Sequence, residues 1–339
     1  MVVRVYLKQA WNLMKQNPLF STLYIVGTGI SIVMTMVIAI VYYVRLAPVY
    51  PETNRMRTLV VKSAKMTNDE STHSANISYA MLKDWFYSLE SAEVSTGVSG
   101  TSYARVTNDK EEIPTYARYT DENFFRVFPL VFLEGKPFTE ADRRSGIHNV
   151  VLTDSYAQQL FGTTKGVVGK NFLMDYTNVK VVGVVKSGSF LTPDSYAQVY
   201  LPYSCRDGYD DEGSHWALGG YRVYILMKES KSVTDVQDEV LELVRKFNVS
   251  DMGDGWKLDL VGQPELYWHS TFRLWSNVAV DWGRVIWMFV GIFIVFLFVP
   301  AFNLSGMISA RMERQLPDLG IRKAFGASRR RLLVQIIWE

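Results

Sequence analysis

Two long uncharged windows constrain this chain more than any other feature. From Gln16 to Val44 a run of 29 residues carries no charge, and its core reads STLYIVGTGISIVMTMVIAIVYYV. From Val285 to Ala310 a second run of 26 residues reads VIWMFVGIFIVFLFVPAFNLSGMISA. About 20 apolar residues cross the hydrocarbon core of a bilayer, whereas the apolar run of a buried core helix is nearer about 10–14. Both windows therefore predict transmembrane helices. The first is a poor cleavable signal peptide, because its basic lead is long, its apolar run is too long and no A-x-A site follows. The remainder is not span-like: the mean hydropathy of the whole chain is near zero. A few spans beside a water-soluble domain fit that value, and a chain made mostly of spans does not. Apolar residues at 48% and aromatics at 14% of 339 residues exclude a disordered chain.

Charge orients the spans. Arg4, Lys8 and Lys15 precede the first window with no acid among them, net +3. Arg311, Arg314, Arg322, Lys323, Arg329, Arg330 and Arg331 follow the second, against Glu313, Asp318 and Glu339, net +4. The stretch between is net −5 within a total of +2. Lys and Arg near span ends stay cytoplasmic, so both ends are expected inside and residues 46–280 outside. A near-neutral total argues against nucleic acid as a partner.

The N-terminal arm places Val3, Leu7, Ala10, Trp11 and Met14 on one helical face, and Arg4, Lys8, Asn12 and Lys15 on the other. This pattern reads as an amphipathic helix over 1–17 lying on the inner membrane surface; a plain basic anchor is the alternative. Asn17 and Pro18 suit a cap and first turn for a span over 18–45. Gly27, Ser31 and Thr35 form one small-residue stripe, and Ala301, Ser305 and Ser309 form another within a span over 281–310. Small residues let helix backbones approach closely in lipid, although ordinary span composition also produces such stripes. Pro300 predicts a kink, and Tyr42, Tyr43, Trp282 and Trp287 are placed as interface aromatics.

The region between reads as mixed α/β. Strands are expected at Leu59–Ser63, Val150–Leu152, Lys180–Lys186 and Tyr221–Met227, from short apolar or β-branched runs. Helices are expected over Ser78–Leu89, from Thr153-Asp154 to Phe161 with Gly162 as terminator, and after Ser232 or Thr234 through Val236, Val240, Leu241 and Val244. From Pro264 to Arg284 the chain reads as a helical stalk entering the second span.

No catalytic constellation emerges. GTTKGVVGKN at Gly162–Asn171 has the wrong spacing for a phosphate-binding loop, and turn glycines explain it. The four histidines, at 73, 148, 215 and 269, are dispersed. No G-x-S-x-G elbow occurs. Asp210, Asp211 and Glu212 have the chemistry to bind a cation, but they read as a solvated loop. Asn76 and Asn248 are acceptor sequons only in a glycosylating secretory pathway. A lone Cys205 excludes an intrachain disulfide and any CxxC site. The chain is not expected to be an enzyme or to hold a metal or cofactor.

The tail reads RMERQLPDLGIRKAFGASRRRLLVQIIWE. Pro317, Gly320 and Gly326 break any heptad register. Pro317 and Asp318 suit the start of a short helix, Leu319–Phe325, with Gly326 as its C-terminal cap and Ser328 as the N-cap of a further helix. A short helix presenting Arg322 and Lys323 suits docking onto a soluble partner. Positive-inside anchoring explains the bases but not the glycines.

GIRKAFGAS, with Glu313-Arg314 upstream, resembles the coupling segment of MacB/FtsX-type ABC transporter permeases. KQNPLFSTLYIVGTGISI resembles that family's first span. FFRVFPLVFLEGKPFT, VVLTDSYAQQLFG, GVVGKNF, KVVGVVK and QVYLP resemble successive landmarks of the MacB-type periplasmic domain, in order. The resemblance implies an inner-membrane permease with α-helical spans and an α+β periplasmic domain. A porter-like subdomain is implied at 46–115 and 213–270, with an inserted subdomain at 116–212. A coupling segment follows at 311–331, and the start of a third span, truncated, at 332–339. The family has four spans, so the resemblance implies a fragment or a truncated permease.

The implied function is mechanotransmission. A separate ABC ATPase subunit, binding ATP and Mg, closes two permease subunits as a homo- or heterodimer, and the motion reaches a periplasmic adaptor or envelope substrate. On this resemblance Glu313, Gly320, Ile321, Arg322, Lys323, Ala324, Gly326, Ala327 and Ser328 form the ATPase-coupling interface. The large ectodomain favours the MacB-like or lipoprotein-release branches of the family over the smaller cell-division type that regulates wall hydrolases. The alternative of a different class is a two-span extracytoplasmic sensor with a short signalling tail; a sensor's tail should carry heptads or a signalling domain, and this tail has neither.

Overall fold

The computed structural model describes residues 18–100, 102–108, 111–206, 208–209, 217–250 and 255–326. Residues 41–281 form one compact unit, and the long helical segments on either side belong to the other.

In chain order the elements are α1 Pro18–Leu46, β1 Thr58–Val61, β2 Ala64–Thr67, β3 Thr72–Ile77, α2 Tyr79–Asp84 and β4 Ala92–Ser99. Then come β5 Ser102–Asn108, β6 Glu111–Thr120, α3 Phe124–Val127, β7 Phe132–Gly135, α4 Glu140–Arg144, β8 Asn149–Thr153 and α5 Asp154–Phe161. The chain continues with β9 Asn171–Met174, β10 Thr177–Val185, β11 Val199–Pro202, β12 Leu218–Gly219 and β13 Tyr221–Met227. It closes with α6 Val233–Val249, β14 Lys257–Asp259, β15 Glu265–Leu266 and α7 Trp282–Ala324.

The first sheet has eight strands in the order β14-β2-β3-β13-β1-β15, with β12 on β3 and β4 on β13. Strand β13 is its centre, antiparallel to β1 on one side and to β4 on the other. Alternation along these strands feeds two cores. Leu59, Val61, Val223 and Ile225 face α2 and α6, while Val60, Val94, Tyr224 and Leu226 face α3 and the second subdomain. Both faces are covered, so all four residues of β1, TLVV, are buried. Ser232 caps α6 reciprocally with Asp235, a capping box that selects the first of the two expected caps.

The second sheet has seven strands in the order β7-β10-β8-β11-β6-β5-β9, and β9 returns to pair with β10. The pairings β10-β8-β11-β6-β5-β9-β10 close a six-stranded ring. Val106, Val150, Leu152, Val179, Val181 and Val199 share its core with Tyr156 and Leu160 of α5. A register shift between Val181 and Gly183 re-phases β10. Beyond it Val184 still faces this core, while Val185 joins the core between the subdomains. The ring draws on residues 102–202, so its first two strands begin upstream of the insertion expected at 116.

Two expectations are corrected. The helical stalk from Pro264 to Arg284 does not form: β15 pairs with β1, His269–Phe272 is a single 3₁₀ turn, and helix begins only at Trp282. Backbone pairing of Glu265 and Leu266 with β1 holds the start of this segment extended. The break expected at Pro317–Gly320 does not occur either, because α7 runs 43 residues through Pro300, Pro317 and Gly320. Proline costs a helix interior about 3 kcal/mol and glycine about 1 kcal/mol, and a helix of this length absorbs both. It ends where Gly326, at φ +90, takes the left-handed conformation.

Among the described residues, one helix segment, Ile25–Leu46, is long and apolar enough to cross a membrane, and Trp282–Phe296 is a shorter apolar stretch.

Candidate functional site

The segment that follows α1 and the segment that follows β15 converge on one buried site of the 41–281 unit. The chain leaves α1 through residues 47–57, where Glu52 and Arg55 are both buried and ion-paired. Arg55 donates to the Val44 carbonyl in the last turn of α1 at 2.7 Å, and its guanidinium lies 5.2 Å from the Tyr267 ring. Tyr267 follows β15, on the returning segment. Its backbone N–H donates to the Thr58 carbonyl at 2.8 Å, and its ring packs edge-on to Phe128 and Tyr224. Burial pushes the Tyr267 hydroxyl well above its usual range. Tyr42 of α1 stacks on Phe272, with centroids 6.5 Å apart.

The same site grips the loop between β10 and β11. Ser195 donates to Glu52 at 2.7 Å. Lys62 donates to Asp194 at 2.9 Å, and Arg222 of β13 pairs with its other oxygen at 3.2 Å. Burial opposes ionisation of Asp194, but the cations at Lys62 and Arg222 outweigh it and hold the carboxyl well below the ordinary range. Arg118 of β6 is buried and donates to the carbonyls of Pro193, at 2.7 Å, and Tyr196, at 3.0 Å. Tyr50 donates to the Lys186 carbonyl at 2.7 Å. The loop is therefore held from the ring by Arg118, and from the sheet and the α1 exit by Glu52, Lys62, Arg222 and Tyr50.

A second buried junction joins the subdomains. Asp121, after β6, accepts from Tyr87 at 2.6 Å, Thr96 at 2.7 Å and the Gly97 N–H at 2.9 Å. Burial raises its pKa to about 6, against those hydrogen bonds. Tyr203 accepts from Arg143 at 2.8 Å, and Arg143 pairs with Glu122.

Charged groups are paired and buried around the segment that follows α1 and the segment that follows β15, and they tie both subdomains to the last turn of α1. Residue patterning missed this arrangement because its partners are remote in sequence. The spacing of Glu52 and Arg55 was the one local signal.

The expected coupling residues lie elsewhere. Glu313, Gly320, Ile321, Arg322, Lys323 and Ala324 all fall in α7, and Gly326 in the turn that ends it. Glu313, Gly320 and Ala324 share one helix face by their spacing. Gly320, Ile321, Lys323 and Ala324 are exposed. Ala327, Ser328, Asp210, Asp211, Glu212 and the 1–17 arm lie outside the described residues. In the first stripe, Ser31 donates to the Gly27 carbonyl and Thr35 to the Ser31 carbonyl, each at 2.7 Å. Both hydroxyls are satisfied within the helix by bonds to the carbonyl four residues back. Ala301, Ser305 and Ser309 lie at four-residue spacing on α7.

The family model described as the MacB-like periplasmic core domain matches residues 20–243. The macrolide export ATP-binding/permease protein MacB of Escherichia coli strain K12 is 21% identical over 236 residues, 69% of this chain and 34% of that protein. The chain thus matches about a third of the length of that curated relative. The periplasmic region of MacB from Actinobacillus actinomycetemcomitans aligns at 16% identity and TM-score 0.42, covering 58% of this chain and 88% of that one. The extracellular domain of the noncanonic ABC-type transporter YknZ from Gram-positive bacteria aligns at 15% identity and TM-score 0.38, covering 58% and 99%.

Proposed function

The chain belongs to the family carrying the MacB-like periplasmic core domain, and from that premise we propose that it is a mechanically acting permease subunit of an ABC transporter in the inner membrane. Helices α1 and α7 cross the membrane, residues 46–280 are periplasmic, and both helices begin or end on the cytoplasmic side. An ABC ATPase, with ATP and Mg on its own residues, docks at the cytoplasmic end of α7 through Glu313, Gly320, Ile321, Arg322, Lys323, Ala324, Gly326, Ala327 and Ser328. In the curated MacB relatives the name itself joins ATP-binding and permease roles. A second permease subunit packs on the stripes Gly27, Ser31, Thr35 and Ala301, Ser305, Ser309.

The observation that carries this reading is the convergence of both connections on Arg55 and Tyr267. A domain tethered by loose linkers would not transmit helix motion, and buried ion pairs at the tethers make them stiff. The output is extrusion of an envelope substrate, directly or through a periplasmic adaptor. Family membership disfavours the two-span sensor.

The test is co-purification. The chain is isolated in detergent from its native membrane, and ATP hydrolysis in the eluate is measured for wild type and Arg322→Glu. Charge reversal at a docking surface costs several kcal/mol, so recovered activity should fall about tenfold or more while membrane insertion is unchanged. Equal recovery from both would remove the coupling assignment.

A further inference from the structure

Residues 274–280, LWSNVAV, carry no charge. The charge just before them is removed from the surface: the Arg273 side chain is 3% exposed and ion-paired with Glu265, itself 8% exposed. The Arg273 guanidinium also donates to the carbonyls of Val278 at 2.7 Å and Val261 at 2.9 Å. A turn bond from the Val278 N–H to the Trp275 carbonyl, at 3.2 Å, closes the loop over it. The buried cation thus acts as a former around which the backbone is wrapped. The exposed side chains of the loop are uncharged, the small polar Ser276 and Asn277 lying between larger apolar ones. Leu274 is 66% exposed, Trp275 67% and Val278 48%.

A rigid, uncharged loop with its largest apolar side chains facing out is costly in water. Burying one such side chain is worth about 1.5–3 kcal/mol. Its position says what covers it. Phe272, two residues before Leu274, stacks on Tyr42, and Tyr42 lies in the last turns of Ile25–Leu46, the apolar helix long enough to span a bilayer. On the membrane-spanning reading of that helix, Tyr42 marks its exit from hydrocarbon, and the stacked Phe272 keeps the start of the loop beside Tyr42, at a depth where tryptophan is favoured.

We propose that Leu274 and Trp275 form a wedge inserted into the headgroup–acyl boundary of the outer leaflet, so that the periplasmic domain is seated on lipid as well as tethered by helices. The inference rests on the membrane-spanning reading of α1.

The full chain, with Cys205→Ser, is reconstituted in vesicles of phosphatidylethanolamine and phosphatidylglycerol. Single cysteines at Trp275→Cys, Ile32→Cys and Tyr176→Cys carry a fluorophore, and quenching by lipids bearing a doxyl group at shallow or deep acyl positions is read. Tyr176, between β9 and β10 of the second sheet, is 86% exposed and serves as the aqueous control. The expected result is shallow quenching at 275 several-fold above that at 176, with deep quenching at 32. Quenching at 32 but not at 275 overturns the wedge and leaves the span intact. Quenching at neither position removes the span, and the wedge with it.

Discussion

Lys62 Nζ lies 2.9 Å from Asp194 Oδ2, tying the end of β1 to the loop between β10 and β11, 132 residues further on. Arg222 completes the set on the other carboxylate oxygen. Removing one member of a buried ion pair leaves its partner uncompensated and costs about 3–5 kcal/mol. Asp194→Ala is expected at the lower end, because Lys62 keeps some contact with water. The Lys62→Met, Asp194→Leu double variant is expected to recover much of that loss. Thermal unfolding midpoints of the detergent-purified chain check both, and an unchanged midpoint for Asp194→Ala would contradict the clamp.

Asp121 makes stability depend on pH in an unusual direction for a carboxylate. Its folded pKa, about 6, lies above the ordinary 3.8. Between those values the folded chain holds a proton that the unfolded chain has released. Its contribution to stability therefore falls as pH rises through the window and is level above it. Urea midpoints measured across the window should show that slope, and Asp121→Asn should flatten it whatever its absolute stability. The same slope in both proteins would rule out Asp121 as the source.

Gly135 and Gly183 face each other across the β7–β10 pairing. A Cβ at Gly135 would stand 2.1 Å from the Val182 carbonyl oxygen, and the residue has φ +72. At Gly146, φ is +63 but nothing lies within 4 Å of a Cβ. Gly146→Ala should therefore cost only the backbone strain, about 1–2 kcal/mol. Gly135→Ala adds a backbone clash and should melt far lower. Similar midpoints for the two variants would show that β7 does not approach β10 this closely.

Arg118 holds the 186–198 loop through the carbonyls of Pro193 and Tyr196. Arg118→Met keeps the stem but removes the donors. Amide exchange within 186–198 should then rise about tenfold or more, while β1 and β13 keep their protection. A uniform rise across the unit would instead mean that Arg118 supports the whole fold.

Local chemistry made several elements legible. The β-branched runs marked β8, β10 and β13, and Gly162 at φ +71 ends α5 where the sequence placed its stop. Ser232 caps α6 because Asp235 sits three residues on. The closure of the ring was not legible, since it depends on β9 meeting β5 and β10 together. Nor was the run from Tyr267 to Asp281, where apolar spacing imitates a helix and a two-residue pairing with β1 decides otherwise.

The sequence by itself determined what a chain must satisfy alone: uncharged windows of spanning length, basic flanks, and short β-branched strands capped by turn residues. Those properties act between near neighbours or between chain and solvent. Only the tertiary structure decided that Glu52, Arg55, Lys62, Asp194 and Tyr267 meet. A buried charge can be placed anywhere its partner can reach, and the partner's distance along the chain carries no energetic label. The ionised state of Asp194 and the raised pKa of Asp121 follow from burial beside particular neighbours, and both belong to the fold rather than to the residues.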